Sequence, residues 1–240
     1  MTIRVTILIT AYNYGPYIAR ALDSALNQSL DQDLYEVLVV DDGSTDETPE
    51  VLNRFGGSVR VIQQPNGGLA AACNTGIDSA KGEYLIRLDA DDELHPDSVI
   101  HCFQILENDP QIGLVYTDRT EVDVPNGTRE THRVGTGNIY DIIAPGIMFR
   151  TQTLKDVGSY NNLYWEEHDL MVRYLRQNQA HYLAEPLYVY YLHGSNMTSD
   201  SSRRCQGWEE LIDKWGIDEL RKWGTWPELE EVFANRVNSD

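Results

Sequence analysis

The chain has 240 residues, of which 41% are hydrophobic and 24% are charged, which is typical of an ordinary globular protein with a sizeable core. Its formal net charge of −19 argues against nucleic-acid binding and against docking on anionic lipid, because both need clustered Lys and Arg residues. No apolar run approaches the ~20 residues of a membrane-spanning helix, so no transmembrane segment is expected.

Up to about residue 118 the sequence alternates short apolar strands with helices. The predicted strands cover residues 5–10, 35–40, 59–64, 84–88 and 112–117. The predicted helices cover residues 17–28, 44–55, 67–80 and 96–108. The second of these helices would begin with a capping box formed by Ser44 and Glu47. Short strands separated by helices indicate an α/β fold with a mostly parallel central sheet flanked by helices.

After residue 120 this alternation weakens. Residues 165–179 predict a helix, and residues 180–194 predict a strand. From Gln206 onward, Trp and aliphatic residues recur at helical spacing and predict C-terminal amphipathic helices. Packing of these helices on the main domain is favoured over contact with a membrane or a partner. Nine acidic and only four basic residues in 206–240 weigh further against a membrane.

The three cysteines, Cys73, Cys102 and Cys205, are widely spaced. They form neither an even disulfide framework nor a CxxC metal motif, which fits a reducing compartment. Residues 1–15 lack the long apolar core of a signal peptide and predict a first strand instead. The sequence therefore favours the cytoplasm, with any membrane contact made through an acceptor or a partner.

Unusual polar clusters follow the predicted strands, at the point where each strand ends. They read TAYN after the first strand, DDGSTD after the second, QQPNGG after the third and DADD after the fourth. Ligands bind beyond the carboxyl ends of the strands in such sheets. We therefore expect these four loops to converge on one rim.

The DADD cluster suits a metal ion. Alternate residues of a strand share a face, so Asp89 and Asp91 point the same way, and small Ala90 lets a ligand approach the backbone. Two carboxylates with open positions suit Mg²⁺ or Mn²⁺ bound together with substrate phosphates. A calcium EF-hand is excluded, because the sixth residue from Asp89 is Leu94 rather than glycine. The alternative is an acidic turn before the next helix, and the loop is expected to be exposed.

The other loops offer groups that suit a nucleobase. Asp41 or Asp42 could accept a hydrogen bond from a base N–H, and Tyr12 offers a stacking surface. The alternative is that these residues form only polar turns and a helix cap. Dinucleotide binding is disfavoured because the first loop lacks GxGxxG, and no GxxxxGK[ST] motif occurs.

Five segments occur together in this order: ITAYNYGPYIARALDSALNQ, VLVVDDGSTDET, QQPNGGLAAACNTGI, KGEYLIRLDADDELHPD and WEEHDL. They closely resemble the family 2 glycosyltransferases of the GT-A fold, over residues 2–195. The resemblance implies an inverting enzyme that moves a sugar from a nucleotide-sugar, usually a UDP-sugar, to a hydroxyl of a glycan, a lipid or a protein-linked saccharide. It also implies a Rossmann-like nucleotide-sugar-binding half in residues 1–118, an acceptor half in residues 119–195 and a helical segment in residues 196–240.

The resemblance also assigns roles to single residues. It places nine of them at the nucleotide-sugar: Thr10, Ala11, Tyr12, Asp41, Asp42, Asn66, Gly68, Asp89 and Ala90. Asp91 and His193 would hold Mg²⁺ or Mn²⁺ at the diphosphate. Glu167 would be the general base that deprotonates the acceptor, with Glu166 and Asp169 as the second choices from the same motif.

Three residues depart from the family pattern. Glu167 stands where many members carry Asp, Cys73 replaces an Arg of the AARN block, and Tyr191 stands where an Arg often precedes the histidine. The last two changes remove candidate phosphate contacts. Arg87 shares a strand face with Asp89 and suits either a phosphate contact or a simple salt bridge.

Two other functions compete with an active transferase. A catalytically inactive module that binds a nucleotide-sugar or a glycan is disfavoured by the joint presence of Asp89, Asp91 and Glu167. A sugar nucleotidyltransferase would open with a Gly-rich loop carrying Arg and Lys, which TAYNYGPY lacks. The sequence leaves the donor sugar, the acceptor and the oligomeric state open.

Overall fold

A computed structural model describes residues 2–194 and 200–237. Within these ranges the strands of a single nine-stranded sheet are β1 (Val5–Ala11), β2 (Tyr35–Asp41), β3 (Arg60–Gln63), β4 (Tyr84–Asp89), β5 (Glu93–Leu94), β6 (Ile112–Asp123), β7 (Thr128–His132), β8 (Met148–Arg150) and β9 (Gln179–Leu192). The α-helices are α1 (Gly15–Leu26), α2 (Thr48–Phe55), α3 (Leu69–Ser79), α4 (Ser98–Asn108), α5 (Thr151–Asp156), α6 (Glu166–Leu175), α7 (Ser201–Trp215), α8 (Ile217–Leu220) and α9 (Pro227–Val237).

The strand order is β3-β2-β1-β4-β8-β6-β9-β5, with β7 paired to β6. The strands β1 to β4, β6 and β9 run in one direction, whereas β5, β7 and β8 run against it. The mostly parallel sheet predicted from the sequence is therefore confirmed. The short strand β8 lies antiparallel between β4 and β6, so the fifth predicted strand is not a direct neighbour of the fourth.

Helices cover both faces of the sheet, as expected for parallel strands with continuous apolar runs. In β1, Ile7 and Ile9 pack on the side of α1, α2 and α4, whereas Leu8 packs on the side of α3 and the C-terminal helices. This alternation follows from the two-residue period of a strand. All of β1 is buried, so the strand is central to both cores.

The predicted capping box of Ser44 and Glu47 is wrong. α2 begins at Thr48, and Glu47 precedes it without a side-chain capping hydrogen bond. The Ser44 hydroxyl instead accepts a hydrogen bond from the backbone N–H of Asn13 at 2.9 Å. The Ser44 hydroxyl, which the local spacing assigned to the cap of α2, therefore binds the loop after β1 instead.

The C-terminal helices pack on the main domain, as predicted. Trp208 of α7, Leu220 of α8 and Leu229 of α9 are buried in the same core as α6. β6 runs through residue 118, so the two proposed halves share one sheet, while the proposed border at residues 195 and 196 lies outside the described residues. Among the helices described, none combines the length and apolar character needed to cross a membrane.

Candidate active site

Hydrogen bonds join the loops that follow β1 and β2. Asn13 has a left-handed backbone at φ 60°, and its side-chain oxygen accepts a hydrogen bond from the Thr45 N–H at 2.8 Å. Asp41, at the end of β2, accepts a hydrogen bond from the Ser44 N–H at 3.0 Å. The expected convergence of these two loops is confirmed.

The residues of the first loop differ in exposure. Thr10 and Ala11 are buried, whereas Tyr12 is 45% exposed and presents its ring to solvent. Cys73 is fully buried within hydrogen-bond reach of Thr10, and burial raises the pKa of its thiol to about 12. The thiol is therefore neutral and carries no charge toward this loop.

Asp42 ties the end of β2 to the loop before α3. Its carboxylate accepts hydrogen bonds from the N–H groups of Gly67 and Gly68, at 2.9 and 2.8 Å, and from the Gln64 amide at 2.7 Å. Gly68 has a φ of +86°, a region that favours glycine, and Asn66 is exposed on the same loop. Asp42 thus shapes the loop that carries Asn66.

Three carboxylates meet beyond the end of β4. One ligand oxygen from each of Asp89, Asp91 and Asp92 lies within 4.8 Å of the others. Asp91 is 7% exposed and Asp92 is 0% exposed, so the expectation of an exposed loop is wrong. Burial and the charge of Asp89 raise the pKa of Asp91, and burial with the charges of both neighbours raises the pKa of Asp92. Such mutually repelling oxygens suit a divalent cation.

The end of β9 brings His193 to this cluster. Its Nε2 atom lies 2.8 Å from Asp91 Oδ2, and its ring stacks on that of Tyr17 with 4.8 Å between centroids. His193 is also largely buried. The two residues expected to hold the metal are therefore neighbours in the fold, although they lie far apart in the sequence.

Asp92 and Arg20 hold the acidic loop in place, and the sequence did not predict either role. Asp92 accepts hydrogen bonds from the Tyr188 hydroxyl at 2.7 Å and the Tyr191 N–H at 2.8 Å. Arg20 donates to the Asp91 carbonyl, and its guanidinium lies 3.5 Å from the Tyr191 ring centroid. No local pattern signals these contacts. The Tyr191 ring thus contacts the guanidinium of Arg20.

Arg87 connects β4 to the first turn of α6. It is 3% exposed, its Nε donates to Asp89 Oδ1 at 2.9 Å, and its Nη1 donates to Glu166 Oε1 at 3.2 Å. The sequence left open whether Arg87 contacts a phosphate or forms a salt bridge, and in the structure it forms salt bridges. The buried guanidinium holds the Asp89 carboxylate in one direction.

The WEEHDL motif places two glutamates at the start of α6, which begins at Glu166. Burial and the charge of Glu167 raise the pKa of Glu166 to about 8, and burial also raises the pKa of Glu167. The Oε2 atom of Glu167 is buried and has no hydrogen-bond partner among the described residues. Glu167 therefore offers an acceptor atom within electrostatic reach of Arg87 and Asp89.

Asp169 is fully engaged by other parts of the protein. Its carboxylate receives hydrogen bonds from Lys214 at 2.6 Å, Asn161 at 2.7 Å, Trp215 at 2.9 Å and Arg173 at 3.0 Å. Although burial opposes ionisation, these donors keep the pKa of Asp169 below its usual range. This geometry suits a structural carboxylate.

A model of the family described as glycosyl transferase family 2 matches residues 6–164, about two thirds of the chain. The chain belongs to this family. The match confirms the resemblance drawn from the sequence. It contains the four loops at the rim and ends just before α6, so Glu167 and His193 of this family 2 member lie beyond the matched residues.

Curated relatives of this family 2 chain include two chondroitin synthases. That of Pasteurella multocida (strain Pm70) is 46% identical over 127 residues, which are 52% of this chain and 13% of the relative. That of Escherichia coli is 42% identical over 122 residues, which are 50% of this chain and 18% of the relative. This chain therefore corresponds to a small part of these longer proteins.

Two solved structures share the fold at low sequence identity. TarS of S. aureus in complex with UDP-GlcNAc has a TM-score of 0.72 and 20% identity, covering 98% of this chain and 72% of that one. The mannosyltransferase PcManGT of Pyrobaculum calidifontis, in complex with GDP-Man and Mn²⁺, has a TM-score of 0.66 and 18% identity, covering 100% and 81%. These likenesses confirm the predicted GT-A fold.

Proposed function

We propose that this family 2 member transfers a sugar from a nucleotide-sugar, namely a UDP-sugar, to an acceptor hydroxyl on a glycan, a lipid or a protein-linked saccharide. The transfer would invert the anomeric carbon. One observation carries the proposal. Through two ion pairs, buried Arg87 joins Asp89 of the carboxylate cluster to Glu166, the neighbour of Glu167. Membership of the family and the UDP-GlcNAc complex of TarS support the choice of donor.

The donor set suits Mg²⁺ or Mn²⁺. Asp91 and His193 would hold the ion, and the mutual repulsion of the carboxylates beside them is relieved by a cation. When bound, such an ion neutralises charge that develops on a diphosphate leaving group. PcManGT, which has this fold, is complexed with Mn²⁺.

The nucleoside would lie across the rim, in residues 1–118. The exposed ring of Tyr12 suits stacking on a base, while Asn66 lies on the loop shaped by Asp42. Five further residues would surround the nucleotide: Thr10, Ala11, Asp41, Gly68 and Ala90. Asp89, which Arg87 holds by an ion pair, would lie near the ribose. The acceptor would approach from residues 119–195.

Glu167 would act as the general base. Its buried Oε2 has no protein donor among the described residues, so it can accept the proton of an acceptor hydroxyl. The hydroxyl oxygen then attacks the anomeric carbon from the face opposite the diphosphate, and the glycosidic bond to the diphosphate breaks. Attack from the opposite face inverts that carbon.

Donor screening tests this proposal. The chain is incubated with Mn²⁺ and, in turn, with UDP-, GDP- and dTDP-sugars, and release of the nucleoside diphosphate is measured with and without a mixture of oligosaccharide acceptors. We expect release from a UDP-sugar that increases with acceptor. Tight binding of UDP with no release under any condition would identify an inactive binding module instead.

Replacement of Asp42 by Ala is expected to weaken UDP binding by about 1.5–3 kcal/mol, the value of a hydrogen bond to a charged group. The contacts of this carboxylate with Gly67 and Gly68 would be lost as well. Calorimetry with UDP and GDP measures the effect, and exposed Asp23 on α1, replaced by Ala, is the control. Equal affinity of the wild type for UDP and GDP would refute selection for uracil.

The rate of transfer is expected to fall as the pH is lowered. The midpoint of this fall should lie above the ordinary pKa of a glutamate, which is about 4.3. The base must be ionised, and burial raises the pKa of Glu167, so activity appears as pH rises through that raised value. The pH profile of kcat measures this limb, while UDP affinity at each pH shows whether the donor site is intact. An acid limb centred at or below the ordinary value contradicts the assignment.

A further inference from the structure

The C-terminal helix α7 packs against the residues on either side of Glu167. Trp208 is 1% exposed, and its ring stacks on His168 with 5.4 Å between centroids and lies 5.2 Å from the ring of Trp165. His168 also stacks on Trp165 at 5.2 Å. Burial lowers the pKa of His168 to about 3, so this imidazole is a neutral member of the aromatic stack. The first turn of α6 is thus held against α7.

A charge pair between the exposed Lys214 and the buried Asp169 forms a second connection between the two helices. Lys214 and Trp215 of α7 donate to the same oxygen of Asp169, at 2.6 and 2.9 Å. The Asp169 side chain is 0% exposed. Arg173 of α6 also pairs with Asp169, but Lys214 supplies the charged contact from α7, so it ties the position of α6 to that of α7.

A glycine in α7 allows this close approach. A Cβ atom at Gly207 would lie 2.7 Å from Tyr164 Cδ1 and 2.8 Å from Trp165 Cδ1, distances too short for carbon atoms. Glycine weakens the interior of a helix, so its presence here is explained by contact with the segment that leads into α6. In addition, the Trp165 indole donates to the Arg204 carbonyl of α7 at 3.2 Å.

The rest of the C-terminal segment contacts the same region from another side. The Tyr140 hydroxyl donates to the Leu220 carbonyl at 2.7 Å, and the Tyr140 ring meets the edge of His168 at 5.3 Å. The Asn138 amide donates to the Thr225 carbonyl at 3.1 Å. α7 therefore packs on one side of the first turn of α6. The segment that contains Asn138 and Tyr140 packs on another side, and it is held by α8 and by the residues before α9.

We propose that α7 is a positioning element for the catalytic carboxylate, and that Lys214, acting through Asp169, is its positioning residue. This inference rests on the proposed role of Glu167 as base. A general base must lie within hydrogen-bond reach of the hydroxyl it deprotonates, and a displacement of about 1 Å lowers rates by about 10²-fold. Glu167 precedes Asp169 by two residues on the same helical turn, so the Lys214 contact fixes the backbone from which the Glu167 carboxylate projects.

Replacement of Lys214 by Met tests the proposal. We expect kcat, measured as UDP release from the best UDP-sugar of the donor screen, to fall by at least about tenfold. The affinity for UDP with Mn²⁺ should stay within about twofold, because the partner of Lys214 is Asp169 on α6 and not a residue of the donor loops. Lys214→Arg, which restores the ion pair, should recover most of the rate. Arg236→Met is the matched control, since it removes a cation of α9 that pairs with exposed Asp213 on the outer side of α7.

Two rate outcomes would overturn the proposal: a kcat of Lys214→Met close to that of the wild type, or a loss of kcat matched by an equal loss of UDP affinity. A second measurement does not depend on activity. In protein labelled with ¹³Cδ-glutamate, the Glu167 signal is identified by its absence in Glu167→Gln. Its titration should move to lower pH in Lys214→Met, because a displaced first turn admits water.

The two failures are distinguishable. If the wild type releases no UDP from any donor, the proposed function fails, and the titration still decides the positioning role. Identical titration of Glu167 in the wild type and in Lys214→Met overturns the positioning role whether or not the wild type is active. A titration of Glu167 that moves to lower pH, together with the tenfold rate loss and its rescue by Arg, supports the positioning role, whereas a move to higher pH contradicts it, because loss of the Lys214 charge alone would raise the pKa of Glu167.

Discussion

Glu167→Gln is expected to lower kcat by about 10²–10⁴-fold with UDP affinity nearly unchanged. The amide has the same shape as the carboxylate but cannot take a proton. Because Glu167 Oε2 has no hydrogen-bond partner among the described residues, the substitution breaks no hydrogen bond of that atom. Steady-state kinetics with the best UDP-sugar measures kcat, and calorimetry with UDP and Mn²⁺ measures binding.

Three other substitutions are compared with Glu167→Gln. Glu50→Gln changes an exposed glutamate in the first turn of α2 and controls for loss of one helix-start charge. Glu166→Gln and Asp169→Asn are expected to cost less than Glu167→Gln, because these two carboxylates are engaged by Arg87 and Lys214 and do not take the proton. Asp169→Asn weakens the Lys214 contact, so its loss of kcat should resemble that of Lys214→Met. If Asp169→Asn is the most damaging of the three, the assignment of the base is wrong, although the reaction class stands.

Removal of the divalent cation by EDTA is expected to weaken UDP binding by at least about tenfold, or about 1.4 kcal/mol. With a net charge of −19 and a rim rich in carboxylates, the chain has few other groups that can balance a diphosphate. Asp91→Ala should abolish this metal dependence. Calorimetry of UDP binding with Mn²⁺, and again with EDTA, measures both effects.

The control for this experiment is Glu93→Gln, in the same loop. The Glu93 carboxylate faces Arg20 and the Tyr191 hydroxyl, at 3.2 and 3.0 Å, rather than the other three acids, so its loss should leave the metal dependence intact. Because Asp91 is buried, the thermal melting temperature of both variants should be measured alongside. Equal affinity of the wild type for UDP with Mn²⁺ and with EDTA would remove the metal assignment.

Local patterns predicted the elements that carry the site. The β-branched run at residues 5–10 became β1, and the helix that contains WEEHDL begins at Glu166. Each polar cluster was placed correctly at the end of its strand, because the two-residue period of strands and the helix spacing are both set by neighbouring residues. The capping box failed for a non-local reason: the Ser44 hydroxyl is used by Asn13, which lies on a different loop.

The sequence by itself thus predicted the α/β class, the main strands and helices up to about residue 118, and the acids at the end of the fourth predicted strand, but not the short strands β5, β7 and β8. The tertiary structure alone decided which group each acid contacts. Arg87 holds Asp89 and Glu166, and Lys214 holds Asp169. The physical reason is that the pairing and burial of a charge depend on groups brought near by packing. Spacing along the chain does not encode these groups, so acids that look alike in the sequence differ in pairing and burial only in the folded protein.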